Sequence, residues 1–150
     1  MNNIFDSHAH YDSEAFNDDR KELLSALTNQ GVCGIINCAS DMASCLTSLE
    51  LADEFPFIYA ACGVHPHEAE GCKQGYLSVL KKLCMEEKCV AVGEIGLDYH
   101  WDDVPRVFRL LYFERQMALA EKLDTDEIYI SHGDCREDAE YLASVIAEKC

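Results

Sequence analysis

Two histidines separated by a single residue, His8 and His10, follow the first apolar run of the chain. Residues 3–7 are predicted to form a strand, and alternate side chains of extended backbone point to the same face. His8 and His10 can therefore direct both imidazoles at one point, and imidazole is the commonest protein ligand of catalytic divalent metals. The pattern predicts part of a metal site, with two ordinary surface histidines as the alternative.

Further reactive side chains lie at or just beyond the carboxyl ends of the predicted strands. In chain order they are Asp6, His65, His67, Glu94, Asp98, Tyr99 and His132. The amino ends of the strands carry no comparable group, whereas a (β/α)8 barrel gathers the carboxyl ends of its strands around one pocket. The second predicted strand is an exception, because it ends in the chemically mild residues 37–40. The alternative to one shared site is that these reactive side chains are unrelated loop residues.

Each of these side chains has a chemical role in such a site. A carboxylate at Glu94, in a predicted Gly-Glu-Ile-Gly turn, can bridge two metal ions, and we expect catalysis to depend on it. His65 and His67 either donate to a substrate phosphate or pack around the intervening proline. Asp6, Asp98 and Tyr99 are expected to contact the ligands from behind and to orient them. His132 is either a further metal ligand or a structural histidine.

The residues do not form a nucleophilic triad. The chain contains no Gly-x-Ser-x-Gly motif, and no cysteine stands beside a histidine in a recognisable nucleophile turn. Water activated by metal ions is therefore the more economical mechanism.

Short apolar runs alternate with longer amphipathic ones along the chain. We predict strands at 3–7, 32–37, 57–62, 89–93 and 127–131, and helices at 19–30, 42–54, 76–87, 106–123 and 137–149. Five βα units in series indicate an α/β fold with a parallel sheet. An open doubly wound sheet competes with a (β/α)8 barrel, but no Gly-rich phosphate-binding motif follows the first strand. A closed barrel needs eight units, so we expect about five units of a partial barrel.

Length and charge limit the classes of function. The 150 residues suggest one domain, and no apolar stretch is long enough to span a membrane. The net charge of −16 excludes a basic surface for non-specific nucleic-acid binding, but not a nuclease whose metal ions supply positive charge locally. Nine cysteines without a Cys-x-x-Cys pair and the lack of a signal sequence predict free thiols and a cytoplasmic location.

Three motifs resemble those of the TatD family of metal-dependent hydrolases in order and approximate spacing: DSHAH at 6–10, GVHPH at 63–67 and GEIGLDY at 93–99. The resemblance covers residues 1 to about 123. It implies an amidohydrolase-type TIM barrel, two divalent ions (Mg²⁺, Mn²⁺ or Zn²⁺) and hydrolysis of phosphodiesters such as DNA. In this family's pattern, His8 and His10 match ligands of the first metal, Glu94 matches the bridging carboxylate, and His65 with His67 matches a pair that faces the substrate.

The chain departs from the family pattern in two respects. The family supplies further ligands after strands six and eight, which lie beyond Cys150, so we expect this chain to be an impaired catalyst. The segment from 128 to 142 also looks more like part of the DegV family, and a junction near 123–124 would explain this. A divergent TatD sequence in which His132 still binds metal is the alternative.

Two other functions remain open from the sequence. One is an amidohydrolase acting on a small ester or amide, and the other is a non-catalytic fragment or binding module. Because five strands of a barrel leave the first and last strands with unpaired edges, we also expect self-association through those edges.

Overall fold

A computed structural model of the chain describes residues 3–101, 103–123 and 128–131. Within these residues, five strands alternate with four α-helices. The strands are β1 (Ile4–Ala9), β2 (Val32–Cys38), β3 (Ile58–Cys62), β4 (Cys89–Gly96) and β5 (Ile128–Ser131). The helices are α1 (Arg20–Leu27), α2 (Met42–Glu54), α3 (Tyr76–Leu83) and α4 (Arg106–Leu123). The predicted helix at 137–149 lies outside the described residues.

The strands form one sheet in the order β1-β2-β3-β4-β5, and every neighbouring pair is parallel. A doubly wound sheet reverses its strand order partway, whereas successive βα units of a barrel keep it. The sequential order therefore confirms the expected partial barrel of the (β/α)8 type and removes the doubly wound alternative.

The two faces of the sheet bury different partners. On one face, helix residues such as Leu24, Leu80 and Phe113 are buried in the same apolar clusters as Ile58 and Val92 of the strands. The opposite face carries a small buried cluster made of strand residues alone within the described part of the chain: Ile36, Cys38, Ala61 and Ala91. A barrel wall has the same layering, with helices on its outer face and strand side chains on its inner face.

Several element boundaries differ from those predicted. The α1 helix stops at Leu27, and a 3-10 turn over Thr28–Gln30 leads to Gly31, whose φ of 95° is the left-handed conformation in which glycine commonly ends a helix. The α3 helix ends at Leu83, four residues early, whereas α2 and α4 match the prediction.

Strands β1 and β4 are longer than predicted, which changes where the candidate ligands lie. β1 continues to Ala9 because Ala9 pairs with Asn37 of β2. β4 continues to Gly96 because β5 pairs with Ile95 and Gly96. His8 and Glu94 therefore lie within strands, and the turn expected around Glu94 is wrong.

The β1 strand stands at one end of the strand order and is largely exposed, including Ile4 and Phe5. Self-association through this edge stays a prediction. Among the described residues, no helix combines the length and the apolar character needed to cross a bilayer.

Candidate metal centre

Three potential ligand atoms converge where β1 and β4 end. His8 Nε2 lies 3.3 Å from Glu94 Oε2, His10 Nε2 lies 3.6 Å from the same oxygen, and the two imidazole nitrogens are 3.2 Å apart. The Glu94 side chain is 11% exposed, against 41% and 47% for the two histidines, so the group opens to solvent on the histidine side.

These spacings fit one divalent cation. Ligand bonds of about 2.1 Å place neighbouring ligand atoms about 3.0 Å apart at a right angle and about 3.4 Å apart at a tetrahedral angle. Two imidazoles and a carboxylate also suit Zn²⁺ or Mn²⁺ by type. Among the described residues, His8, His10 and Glu94 form the one group of three or more candidate ligands that meets at such distances.

The His10 ring is oriented by backbone. Its Nδ1 lies 2.8 Å from the carbonyl oxygen of Cys38, and an N–H at Nδ1 donates to that oxygen. In the tautomer with its proton on Nδ1, the unprotonated nitrogen is Nε2, which is directed at Glu94 as a metal ligand requires. Burial, followed by the charge of Glu94, raises the pKa of the neighbouring Cys38 thiol to about 12.

A glycine in the neighbouring segment allows Glu94 to reach the site. A Cβ at Gly63 would lie 2.6 Å from the carbonyl carbon of Gly93, closer than real Cβ atoms approach. With no side chain there, β4 passes close to the end of β3, and the Glu94 N–H donates to the carbonyl of Ala39 at 2.8 Å. The backbone on both sides thus fixes the position of the Glu94 carboxylate.

His65 and His67 lie together in the segment that follows β3. The His65 N–H donates to the Ser40 carbonyl at 2.7 Å, and the His67 N–H donates to His65 Nδ1 at 3.3 Å. Burial lowers the pKa of His65, although the Glu94 charge opposes the shift. His65 is therefore neutral near pH 7, and with Nδ1 accepting, its Nε2 carries the proton and is a donor.

The residues predicted to support the site contact different parts of its surroundings. Asp6 Oδ1 accepts from the His8 backbone N–H at 3.2 Å, so it supports the end of β1. Asp98 Oδ2 lies 2.8 Å from His67 Nε2 and so faces the histidine pair. Tyr99 stacks under the guanidinium of Arg106, 4.6 Å from its ring centre. His132 lies outside the described residues, and its role as a ligand stays a prediction.

Asn37, in a region that the sequence marked as chemically mild, holds the loop that follows His10. It is fully buried, and its Oδ1 accepts from the Tyr11 N–H at 2.6 Å. Its Nδ2 donates to Asp12 at 2.7 Å and to Ser48 at 2.8 Å. A polar residue inside an otherwise apolar strand was the available signal.

Gln116 has the same kind of role for the histidine pair. It is fully buried on α4, accepts from the Val64 N–H at 2.7 Å and donates to the Val64 carbonyl at 3.0 Å. Both bonds fix the backbone directly before His65. The signal was a polar residue on the apolar face that Phe113 and Met117 define.

Comparison with known proteins finds a matching family. The family described as TatD related DNase matches residues 5–148. The matched range includes the proposed junction near 123–124 and gives no support to a resemblance of the tail to the DegV family.

The matches with individual relatives cover most of this chain but only about half of each relative. YabD of Bacillus subtilis, described as an uncharacterised metal-dependent hydrolase, is 36% identical over 90% of this chain and 52% of its own length. TatD of Rahnella, described as a 3'-5' ssDNA/RNA exonuclease, is 27% identical over 89% of this chain and 50% of its own length.

A solved structure extends the likeness to the fold. The TatD homologue YjjV of Escherichia coli superposes with a TM-score of 0.85 at 29% identity, over 97% of this chain and 55% of that one. The chain thus spans about half the length of the relatives it matches.

Proposed function

This chain is a member of the TatD related DNase family, and from that premise we propose that it acts in metal-dependent hydrolysis of phosphodiester bonds in nucleic acid. The observation that carries the proposal is the convergence of His8, His10 and Glu94 at the spacing of ligands around one cation. The descriptions of relatives as a metal-dependent hydrolase and as an ssDNA/RNA exonuclease support the class of reaction.

We assign the binding of a divalent cation to His8 and His10 through Nε2 and to Glu94 through Oε2. Such a cation supplies an activated water and neutralises charge on a bound phosphate. A second cation would be held by the other oxygen of the Glu94 carboxylate, as part of a two-metal centre. His132 is proposed as a further ligand.

His65 and His67 are proposed to hold the substrate phosphate. Neutral His65 donates from Nε2 toward a phosphate oxygen, and the lowered pKa of its imidazole keeps that tautomer populated near pH 7. His67 lies edge-to-face against His65 with ring centres 4.7 Å apart, so a phosphate that meets one imidazole lies near the other.

The charge of the chain favours single-stranded over duplex substrates. With a net charge of −16, the chain has little electrostatic attraction for a long phosphate backbone. Binding then depends on the cation and the histidine pair, which engage one phosphate at a time. A strand end or an unpaired segment presents such a phosphate with the least obstruction.

The experiment is hydrolysis of an end-labelled single-stranded oligodeoxynucleotide by the purified chain, with Mn²⁺ or with EDTA. We expect cleavage that requires Mn²⁺ and is abolished by Glu94→Gln. The exposed Glu87 offers a matched control, because Glu87→Gln removes the same charge at an exposed position and leaves Glu94 intact. Cleavage that survives Glu94→Gln would refute the proposal.

Two other outcomes separate the alternative functions. Turnover of p-nitrophenyl acetate without cleavage of the oligonucleotide would indicate an esterase. Binding of Mn²⁺ without any turnover would indicate a binding module or a part-site that needs the rest of the relatives' length.

A further inference from the structure

The first turn of α4 buries a cation. The Arg109 side chain is 0% exposed, although it lies in a helix that begins only three residues earlier. Its guanidinium donates to the backbone carbonyls of Leu97, Asp98 and Trp101 and, at 2.5 Å, to Asp103 Oδ1. All four acceptors belong to the loop that joins β4 to α4.

This placement is costly unless it is compensated. A buried guanidinium loses its hydration, and the amino end of a helix carries partial positive charge that repels a cation. Four oxygen acceptors from one loop supply the compensation, and Asp103 supplies a full negative charge. Arg109 and the β4–α4 loop therefore hold each other in one arrangement.

The same loop presents two carboxylates to His67. Asp98 Oδ2 lies 2.8 Å from His67 Nε2, and Asp103 Oδ2 lies 3.9 Å from His67 Nδ1. Asp98 has a φ of 38°, which is uncommon for a residue with a side chain. Arg109 binds the carbonyl of this residue and so holds the backbone that aims its carboxylate at His67.

We propose that Arg109 is a positioning residue for His67, acting through Asp98 and Asp103 to set the orientation in which His67 meets the substrate phosphate. The role of His67 in this proposal rests on the proposed function, in which His67 holds the substrate phosphate. The arrangement itself, an arginine that fixes an imidazole through two carboxylates, is independent of any activity.

The first experiment is therefore spectroscopic and needs no substrate. Imidazole resonances are recorded on the ¹⁵N-histidine-labelled chain, and His67 is assigned by its loss in His67→Gln. In Arg109→Lys we expect the His67 resonances to move while those of His8 and His10 stay in place. Arg115→Lys is the matched control, since Arg115 is exposed on the same helix.

A milder variant covers the case in which Arg109→Lys fails to fold. Asp103→Asn removes one charge from the side chain that joins Arg109 to His67, at a position whose side chain is 52% exposed. We expect it to move the His67 resonances as well. Unmoved His67 resonances in a folded Arg109→Lys chain, or in Asp103→Asn if that chain alone folds, would overturn the proposal.

A kinetic test then connects the arrangement to phosphate binding. With a single-stranded oligodeoxynucleotide and Mn²⁺, we expect Arg109→Lys to raise KM about tenfold with little change in kcat, as for loss of one charge-assisted hydrogen bond. The same substitution should have no further effect in a His67→Gln background. Equal effects in both backgrounds would mean that Arg109 does not act through His67. If the unaltered chain cleaves nothing, the proposed function fails, and the spectroscopic result still decides the role of Arg109.

Discussion

His8 Nε2 and Glu94 Oε2 lie 3.3 Å apart, although the two residues are 86 positions apart in the chain. Their strands, β1 and β4, are three positions apart in the sheet. In a flat sheet, three strand spacings amount to about 14 Å. Because the two side chains nevertheless meet, the sheet curls inward, and this curvature assembles the candidate metal centre.

Gly63→Ala should disturb both folding and the site. The added methyl group would lie 2.6 Å from the backbone of Gly93, which cannot move aside as a flexible side chain can. We expect the free energy of unfolding to fall by about 1–3 kcal/mol in urea denaturation. Affinity for Mn²⁺ should fall too, because Glu94 is displaced.

Gly71→Ala is the control for this prediction, since a Cβ at Gly71 meets nothing within 4 Å. Equal stability of the Gly63 and Gly71 variants would show that the close approach of β4 to Gly63 carries no energetic weight.

Asn37→Ala should loosen the loop that follows His10. The substitution removes three hydrogen bonds and leaves the buried Ser48 hydroxyl without this partner. A loss of about 1–3 kcal/mol in the free energy of unfolding is expected. Asn29→Ala, at an exposed position, should change it by less than about 0.5 kcal/mol. Calorimetric or urea unfolding that finds the two variants alike would contradict the role of Asn37.

The lowered pKa of His65 makes stability depend on pH. Below about pH 6.5 the unfolded chain binds a proton at this imidazole that the folded chain resists, so the free energy of unfolding falls as pH falls. We expect His65→Asn to flatten this part of the curve relative to the unaltered chain, when urea unfolding is measured from pH 5 to 8. His100→Gln, at an exposed histidine, should not. An unchanged slope in His65→Asn would place the pH dependence elsewhere.

The elements and the candidate ligands were predictable because they depend on local patterns. Apolar periodicity located β2, α2 and α4 with correct or nearly correct ends. The His-x-His spacing and the Gly-rich surroundings of Glu94 indicated metal chemistry before any fold was known. The ends of β1 and β4 were predicted too early because they depend on pairing with strands elsewhere in the chain.

The residues that hold the site were not predicted, for a different reason. Asn37, Arg109 and Gln116 are polar residues buried on apolar faces. Asn37 and Gln116 bind distant segments, and Arg109 binds the loop that precedes its own helix. Their positions on apolar faces predict that a polar group is buried. The group to which each one binds is known only from the tertiary structure. A search for polar residues on the apolar stripe of α4 would have found both Arg109 and Gln116.

The most direct measurement is a thermal melt of the purified chain with EDTA and with excess Mn²⁺, repeated for Glu94→Gln and Glu87→Gln. A ligand that binds only the folded chain raises Tm, and at 100 times Kd the stabilisation is about 2.7 kcal/mol, or several degrees. We predict this rise in the unaltered chain and in Glu87→Gln, and its loss in Glu94→Gln. An equal rise in all three, or none in the unaltered chain, would contradict a metal centre at His8, His10 and Glu94.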